Sequence, residues 1–177
     1  MIRKIVTAED PVLRKKSKPV KKVDKKVKDL IKDLKDTLVI QKDPEGVGLA
    51  APQIGKLQRV FVILNKEEMR AYVNPEILSI DKSKPKKKKG SDENKVLEGC
   101  LSIPHYYGPL ERSKKLTLKY LNEKGKSIEE EFTGFDAQII QHEVDHLDGI
   151  LYVDHLLQQN IPLYTQNDAG EWEEVEL

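Results

Sequence analysis

The stretch QHEVDHLDG, residues 141–149, constrains the fold of this chain more than any other segment. His142 and His146 are four residues apart, so in an α-helix they lie on one face, one above the other, and could share a metal ion. Glu143 lies about a quarter-turn from His142, close enough to act on a bound water without being a ligand. Apolar residues cover most of the remaining helix surface and predict that it is buried. Buried histidines and a buried glutamate are costly unless they are paired or coordinated, which favours a metal site over an ordinary helix.

A metal site needs a third ligand, and the sequence leaves several candidates open. In the H-E-x-x-H-x-x-G-x-x-H pattern of some metalloproteases a third histidine follows, but here Tyr152 stands at that position. His105 and His155 are more readily explained as surface or core histidines. Cys100 is the single cysteine, and Gly99 beside it permits a close backbone approach. A thiolate is a suitable soft ligand, although a lone cysteine is also a common small core residue.

The hydrophobic pattern predicts an α+β fold with antiparallel sheets packed around the central histidine-bearing helix. An N-terminal amphipathic helix is indicated by apolar residues at spacings of three and four: Val23, Val27, Leu30, Ile31, Leu34 and Leu38. Strands are predicted over 59–64 and 71–78, where Pro75 indicates an edge strand or a bulge, and a hairpin turns at 122–125. Around the second helix, Thr133 and Asp136 resemble a capping pair and Gly149 a C-terminal stop. No structure is predicted for the last stretch.

Length and composition predict a single domain over residues 1–177, with a charged insertion at 83–95 and an acidic tail at 160–177, and the motifs described below make it a catalytic one. The sequence shows neither a signal peptide nor a membrane-spanning segment, and a single cysteine suits a reducing compartment, so we expect a cytoplasmic protein. Residues 1–89 carry a net charge of +12 and residues 90–177 carry −11. The simplest interpretation is that the two halves interleave in one fold and largely neutralise each other.

Three motifs together resemble those of the peptide deformylases. They are GVGLAAPQIG at 46–55, EGCLS at 98–102 and QHEVDH at 141–146, and they occur in the order of that family. The N-terminal DPVLRKKSKPV and the amphipathic helix after it are also similar, so the resemblance covers residues 2–157. Three motifs in register are a specific signal, and on them the chain is identified as a member of this family.

The resemblance implies a site and a reaction. Cys100, His142 and His146 would bind one divalent metal ion with water in the fourth position, and Glu143 would be the acid–base residue. Gln53 and the backbone N–H of Leu101 would hold the developing oxyanion. The reaction would be the hydrolysis of N-formyl-methionyl nascent peptides to formate and a free amino terminus. Family membership implies ferrous iron in the cell, with zinc or nickel able to substitute.

The resemblance also implies where the substrate binds. Gly48 would hydrogen-bond to the peptide backbone. The methionine side chain would enter an apolar pocket, for which Val47, Phe135, Ile139 and His142 are the candidates, although each of them could instead be a core residue. The stretch 105–108, HYYG, departs from bacterial relatives, in which a basic residue often follows SIP, so the outer substrate contacts differ. Arg112 keeps its place in the family pattern and is interpreted as structural.

The sequence also leaves open one possible partner and two alternative functions. The lysine run at 84–89 could make a transient contact with the ribosome, whose surface is largely phosphate, or it could be a solvated loop with no partner. An H-E-x-x-H metalloendopeptidase is one alternative function, against which the tyrosine at 152 counts. A structural-metal protein that binds RNA through its basic half is another, in which Glu143 would have no role.

Overall fold

The structure is a computed structural model that describes residues 1–65, 68–81 and 97–175. Its strands pair antiparallel in two sheets. The first sheet has the order β1-β2-β3-β6-β7 and the second β4-β5-β8-β9. The described strands are β1 Gly48–Ala50, β2 Val60–Asn65, β3 Glu68–Ile80, β4 Glu98–Cys100, β5 Ile103–Gly108, β6 Lys115–Leu121, β7 Ser127–Thr133, β8 Leu163–Gln166 and β9 Trp172–Val175. The α+β prediction is therefore confirmed.

The N-terminal helix α1, Lys25–Leu38, packs its apolar face on one side of the first sheet. The predicted stripe is buried except for Val23, which precedes the helix and is only partly buried, and Thr37 is buried in addition. Asp24 caps the helix by accepting a hydrogen bond from the backbone N–H of Val27. Short 3₁₀ helices at Pro11–Arg14 and Ala51–Ile54 flank α1 in sequence.

The second helix, α2 Gly134–Asp148, covers the other face of the first sheet and also contacts the second sheet through its histidines. Its core contacts include Ile139, Ile140 and Leu147. Gly149 ends the helix in the left-handed conformation, as predicted, with φ of 77°. The capping prediction at the other end is wrong: Thr133 occupies the N-cap position but makes no capping hydrogen bond.

A third helix and a C-terminal hairpin complete the second sheet. Helix α3, Tyr152–Gln159, buries Tyr152 and Leu156 against that sheet. Strands β8 and β9 form a hairpin that pairs with β5, in the segment for which the sequence predicted nothing.

Two smaller sequence predictions are also decided by the strand pairing. The predicted hairpin is present between β6 and β7. Pro75 lies at a register shift in β3, an inner strand of its sheet, so the bulge interpretation is right and the edge interpretation wrong.

The two oppositely charged halves of the chain join in the first sheet, where β3 of the basic half pairs with β6 of the acidic half, but their strands lie side by side rather than interleaved as expected. The lysine run and the whole predicted insertion at 83–95 fall outside the described residues. None of the helices in the described ranges is long and apolar enough to cross a membrane.

Candidate metal centre and active site

Two histidines, His142 and His146, lie on the same face of helix α2. Because they are one turn apart, the rings of His142 and His146 stack edge to face with centroids 4.8 Å apart. Both side chains are buried. The Nδ1 atom of His146 is buried and has no hydrogen-bond partner within the described part of the chain.

Strand β4 brings Cys100 to these histidines from the second sheet. Its Sγ lies 3.2 Å from Nε2 of His146, and one donor atom from each of Cys100, His142 and His146 lies within 4.8 Å of the others. Burial raises the pKa of the thiol, but His146 and His142 beside it outweigh burial and hold that pKa well below its usual value. Two imidazoles and a thiolate fit a borderline-soft divalent metal, and three protein ligands leave one position open for chemistry.

A buried ion-pair cluster supports His142 from behind. The Nδ1 of His142 lies 2.7 Å from Oε1 of Glu98. Arg112 donates to both carboxylate oxygens of Glu98, over 2.6 and 2.7 Å, and its Nη1 lies 2.8 Å from Oδ2 of Asp145. Because an ionised carboxylate only accepts hydrogen bonds, Nδ1 of His142 carries the hydrogen and Nε2 keeps its lone pair for a ligand.

The charge state of this cluster follows from its contacts. Burial raises the pKa of Glu98, but the hydrogen bonds from Arg112 and His142 outweigh burial and lower the pKa to about 2. Sequence reasoning missed Glu98. The signal that could have found it is its position two residues before Cys100, which places both side chains on one face of β4. Arg112, interpreted as structural, lies in this cluster.

Glu143 is buried beside the three donor atoms, with only 3% of its surface exposed. Its Oε2 has no hydrogen-bond partner within the described ranges. Its carboxylate lies against Gly48, where an added Cβ would be 2.3 Å from Oε1. Burial raises the pKa of Glu143 to about 7. A carboxyl group with such a pKa can both accept and release a proton near neutral pH.

Gln53 lies beside Cys100, in the 3₁₀ helix Ala51–Ile54. Its Oε1 accepts a hydrogen bond from the backbone N–H of Ala50, which fixes the amide. Its Nε2 lies 3.6 Å from Sγ of Cys100 and 3.3 Å from Oγ of Ser102, so this donor faces the site. Leu101 follows Cys100 directly and lines the same cavity.

The donor cluster opens into a cavity of about 200 Å³. The predicted substrate residues Val47, Gly48, Phe135 and Ile139 all line it, together with His142 and Glu143. Strands β1 and β4 border it and are edge strands of their respective sheets in the described fold. The sequence-predicted site residues are thus brought together around one cavity.

The other two histidines lie away from the donor cluster. The Nε2 of His155 on α3 is 2.8 Å from Oδ2 of Asp145. His105 is exposed at the cavity rim in a left-handed backbone conformation, with φ of 68°. Within the described residues, Cys100, His142 and His146 form the one group of three or more ligand-type side chains close enough to hold a metal.

Comparison with known proteins agrees with this geometry. The family model of polypeptide deformylase matches residues 2–161. The chain is 44% identical over 154 residues to the peptide deformylase of Pseudothermotoga lettingae, covering 87% of this chain and 82% of that protein. It is 46% identical over 153 residues to peptide deformylase 2 of Clostridium acetobutylicum, covering 86% and 94%.

The fold agrees as well. The crystal structure of peptide deformylase from Thermotoga maritima superposes with a TM-score of 0.77 at 41% identity, covering 88% of this chain and 97% of that chain. The extent of these matches and the metal-ligand geometry lead to one conclusion. The chain belongs to the peptide deformylase family, the metal-dependent hydrolases that remove the formyl group from newly made polypeptides.

Proposed function

We propose that Cys100, His142 and His146 hold the catalytic metal of this deformylase and that Glu143 is its acid–base residue. The observation that carries the proposal is the buried Glu143 carboxylate, whose Oε2 has no partner in the described structure and which lies beside three convergent donor atoms. Burying a carboxylate oxygen without a hydrogen-bond partner costs free energy of folding. Such a buried, unpaired group is typical of a residue that takes part in the reaction.

Bound by these three residues, a divalent metal would supply Lewis acidity for the formyl oxygen and for the attacking water, whose pKa such a metal can lower to about 7. Glu143 accepts the proton of the attacking water and then delivers it to the leaving amine, and its raised pKa suits both transfers. Glu98 holds His142 in the tautomer that leaves Nε2 available to the metal.

Gln53 and Leu101 stabilise the negative charge that develops on the formyl oxygen. The Gln53 amide is held by its contact with Ala50 and directs Nε2 into the site, so this donor is preorganised. The backbone N–H of Leu101 is the second donor. Each such donor contributes roughly 3–4 kcal/mol to lowering the barrier.

The formylated peptide lies extended between the two edge strands that border the cavity. Exposed strand edges offer unpaired backbone groups to a third strand. Gly48 on β1 provides backbone contacts, and Val47, Phe135 and Ile139 line the pocket for the methionine side chain. The metal in the cell is ferrous iron, with zinc or nickel able to substitute, which suits a site of two imidazoles and one thiolate.

Formate release from formyl-Met-Ala-Ser, measured beside the unformylated peptide and beside an internal-peptide-bond substrate, tests this function. We expect formate from the first peptide, and cleavage of neither of the others. Cleavage of internal peptide bonds would instead support the endopeptidase. Metal binding without any hydrolysis would support the structural-metal RNA-binding protein.

The metal ligands are tested separately by Cys100→Ser. A neutral hydroxyl is a poor substitute for a thiolate, so we expect weaker binding or a changed metal preference. Stoichiometric metal with unchanged affinity in this variant would mean that the third ligand lies elsewhere.

We also propose that the lysine run at 84–89 makes a transient contact with phosphate groups on the surface of the ribosome. Formylated chains emerge from the ribosome, so such a contact would bring the enzyme to its substrate. Five lysines lie within six positions of this run. Replacing Lys84 and Lys86–Lys89 by serine should weaken co-sedimentation with ribosomes at low salt and leave hydrolysis of small formyl peptides intact. Equal co-sedimentation of the variant and the parent would make the run a solvated loop.

A further inference from the structure

The C-terminal hairpin of β8 and β9 connects the cavity to an exposed aromatic surface. β8 pairs with β5, which in turn pairs with the cavity-lining strand β4. In the order β4-β5-β8-β9 the hairpin forms the edge of the sheet opposite β4, and β5 connects it to β4. The proposed substrate-binding edge is that of β4.

One face of this sheet carries a row of aromatic side chains. Tyr107 on β5 is directly opposite Gly99 on β4 and Tyr164 on β8, so the side chains of Tyr107 and Tyr164 share a face. Trp172 on β9 reaches the same face. Its ring meets that of Tyr107 edge-on, with centroids 5.6 Å apart and planes at 88°.

Gly99 allows the Tyr107 ring to lean toward the cavity. A Cβ at position 99 would lie 2.7 Å from two ring carbons of Tyr107, so the ring covers space that any other residue would fill. Tyr107 and Gly99 both line the cavity. The Tyr107 ring therefore forms part of the cavity wall beside β4.

Trp172 is not explained by core packing. It is 48% exposed and is absent from the buried core around α3. Its ring contacts that of Tyr107, which also lines the cavity.

We propose that Tyr107 is a specificity-determining residue that contacts the side chains directly after the formyl-methionine, and that Trp172 is a positioning residue that holds its ring in place. The inference rests on the proposed extended binding of the peptide along β4. An added strand lies about 4.8 Å from its neighbour and alternates its side chains between the two faces, so one of the second and third substrate residues faces the ring. At the substrate position that faces it, the Tyr107 ring favours a large apolar side chain over glycine.

The test compares formyl-Met-X-Ser and formyl-Met-Ala-X peptides with X either phenylalanine or glycine. For one of the two positions, the wild-type kcat/KM ratio of phenylalanine to glycine should be about ten, the factor that an aromatic contact provides. The effect should fall on KM, because the contact is made equally in the ground state and the transition state.

Variants separate positioning from a general structural role. Tyr107→Ala and Trp172→Ala should each reduce the phenylalanine-to-glycine ratio of kcat/KM toward one, whereas Trp172→Phe should retain most of it. When Tyr107 is already alanine, Trp172→Ala should have no further effect on this ratio. Trp172→Leu serves as the second variant if the alanine variant does not fold. Leu157→Ala removes another exposed apolar side chain, 59% exposed on α3, and should leave the ratio at its wild-type value.

Formate release by the wild type with a ratio near one at both positions would overturn the inference while leaving the proposed function intact. A Trp172→Ala effect that persists in the Tyr107→Ala background would also overturn it. Absence of formate release from every peptide would instead overturn the proposed function, and this inference with it.

Discussion

Gly48 lies so close to Glu143 that a side chain at position 48 would displace the carboxylate. A Cβ there would lie 2.3 Å from Oε1 and 2.9 Å from Cδ of Glu143. Both residues are buried, so neither can move far without disturbing its surroundings. The glycine of the GVG segment thus sets where the proposed acid–base carboxylate lies, in addition to any contact with the substrate backbone.

Gly48→Ala should therefore displace Glu143 and lower kcat/KM for formyl peptides by more than about tenfold, since acid–base catalysis contributes roughly 10²–10⁴-fold. Metal content should be unchanged because no ligand is touched. The matched control is Gly108→Ala, whose Cβ would meet Leu156 at 2.4 Å in the core around α3. That variant should lose about 1–3 kcal/mol of stability with a much smaller effect on kcat/KM. Equal activity losses in both variants would contradict the specific contact.

Strand β4 carries two functions on one face because alternate side chains point the same way. Cys100 faces the donor cluster, while Glu98 binds His142 and Arg112. The strand thus delivers one proposed ligand and the group that orients another. A buried carboxylate paired with a buried guanidinium contributes little net stability, but removing the Glu98 charge takes from Arg112 the carboxylate it binds through two nitrogens and leaves it with Asp145.

Glu98→Gln should destabilise the protein by roughly 3 kcal/mol at pH 7 and weaken metal affinity about 10–100-fold. The pKa of Glu98 is lowered from 4.5 to about 2, so its contribution is fully present above pH 4.5 and is lost as pH falls toward 2. The stability difference between wild type and variant in urea should accordingly shrink on acidification below pH 4.5. The control Glu130→Gln removes a half-exposed partner of Arg70 and should cost less than about 1 kcal/mol. A pH-independent difference for Glu98→Gln would contradict this account.

On the scale of the whole molecule, the proposed ligands join parts of the fold that are otherwise packed separately. Helix α2 belongs to the core of the first sheet, whereas Cys100 belongs to the core of the second sheet and α3. A metal held by both therefore links the two cores, and binding of a ligand to the native state alone stabilises it.

Removal of the metal by a chelator should lower the Tm of the wild-type protein, because a metal at a thousand times its Kd contributes about 4 kcal/mol. Cys100→Ser should largely abolish the difference between metal-loaded and chelated protein. Differential scanning calorimetry on both proteins, with and without added metal, measures this. A Tm that does not respond to chelation, in protein shown to be loaded beforehand, would contradict a metal link between the cores.

Much of the fold and site could be predicted because the relevant signals are local. The stripe of α1, the Gly149 stop of α2 and the hairpin between β6 and β7 each depend on a few neighbouring residues. Cys100 was one of several candidate ligands on its chemistry, and only the resemblance selected it, because its proximity to the histidines is set by tertiary packing. The role of Glu98 was missed for the same reason.

Other features had no readable local pattern. Helix α3 has eight residues, so its apolar period is short, and the acidic hairpin owes its pairing to β5 rather than to its own hydrophobicity. The expected capping pair is absent: the Thr133 side chain makes no capping bond, and the Asp136 carboxylate accepts hydrogen bonds from Asn65 of β2 instead.

The most direct test of the central claim is Glu143→Gln, with metal content and formate release measured on one preparation. The substitution removes the proton-transfer group but none of the proposed ligands, so the variant should hold stoichiometric metal and lose at least about 10²-fold in kcat. Glu129→Gln, an exposed substitution on β7, is the matched control and should retain full activity. A Glu143→Gln protein that binds metal and keeps more than about a tenth of wild-type turnover would contradict the acid–base role of Glu143.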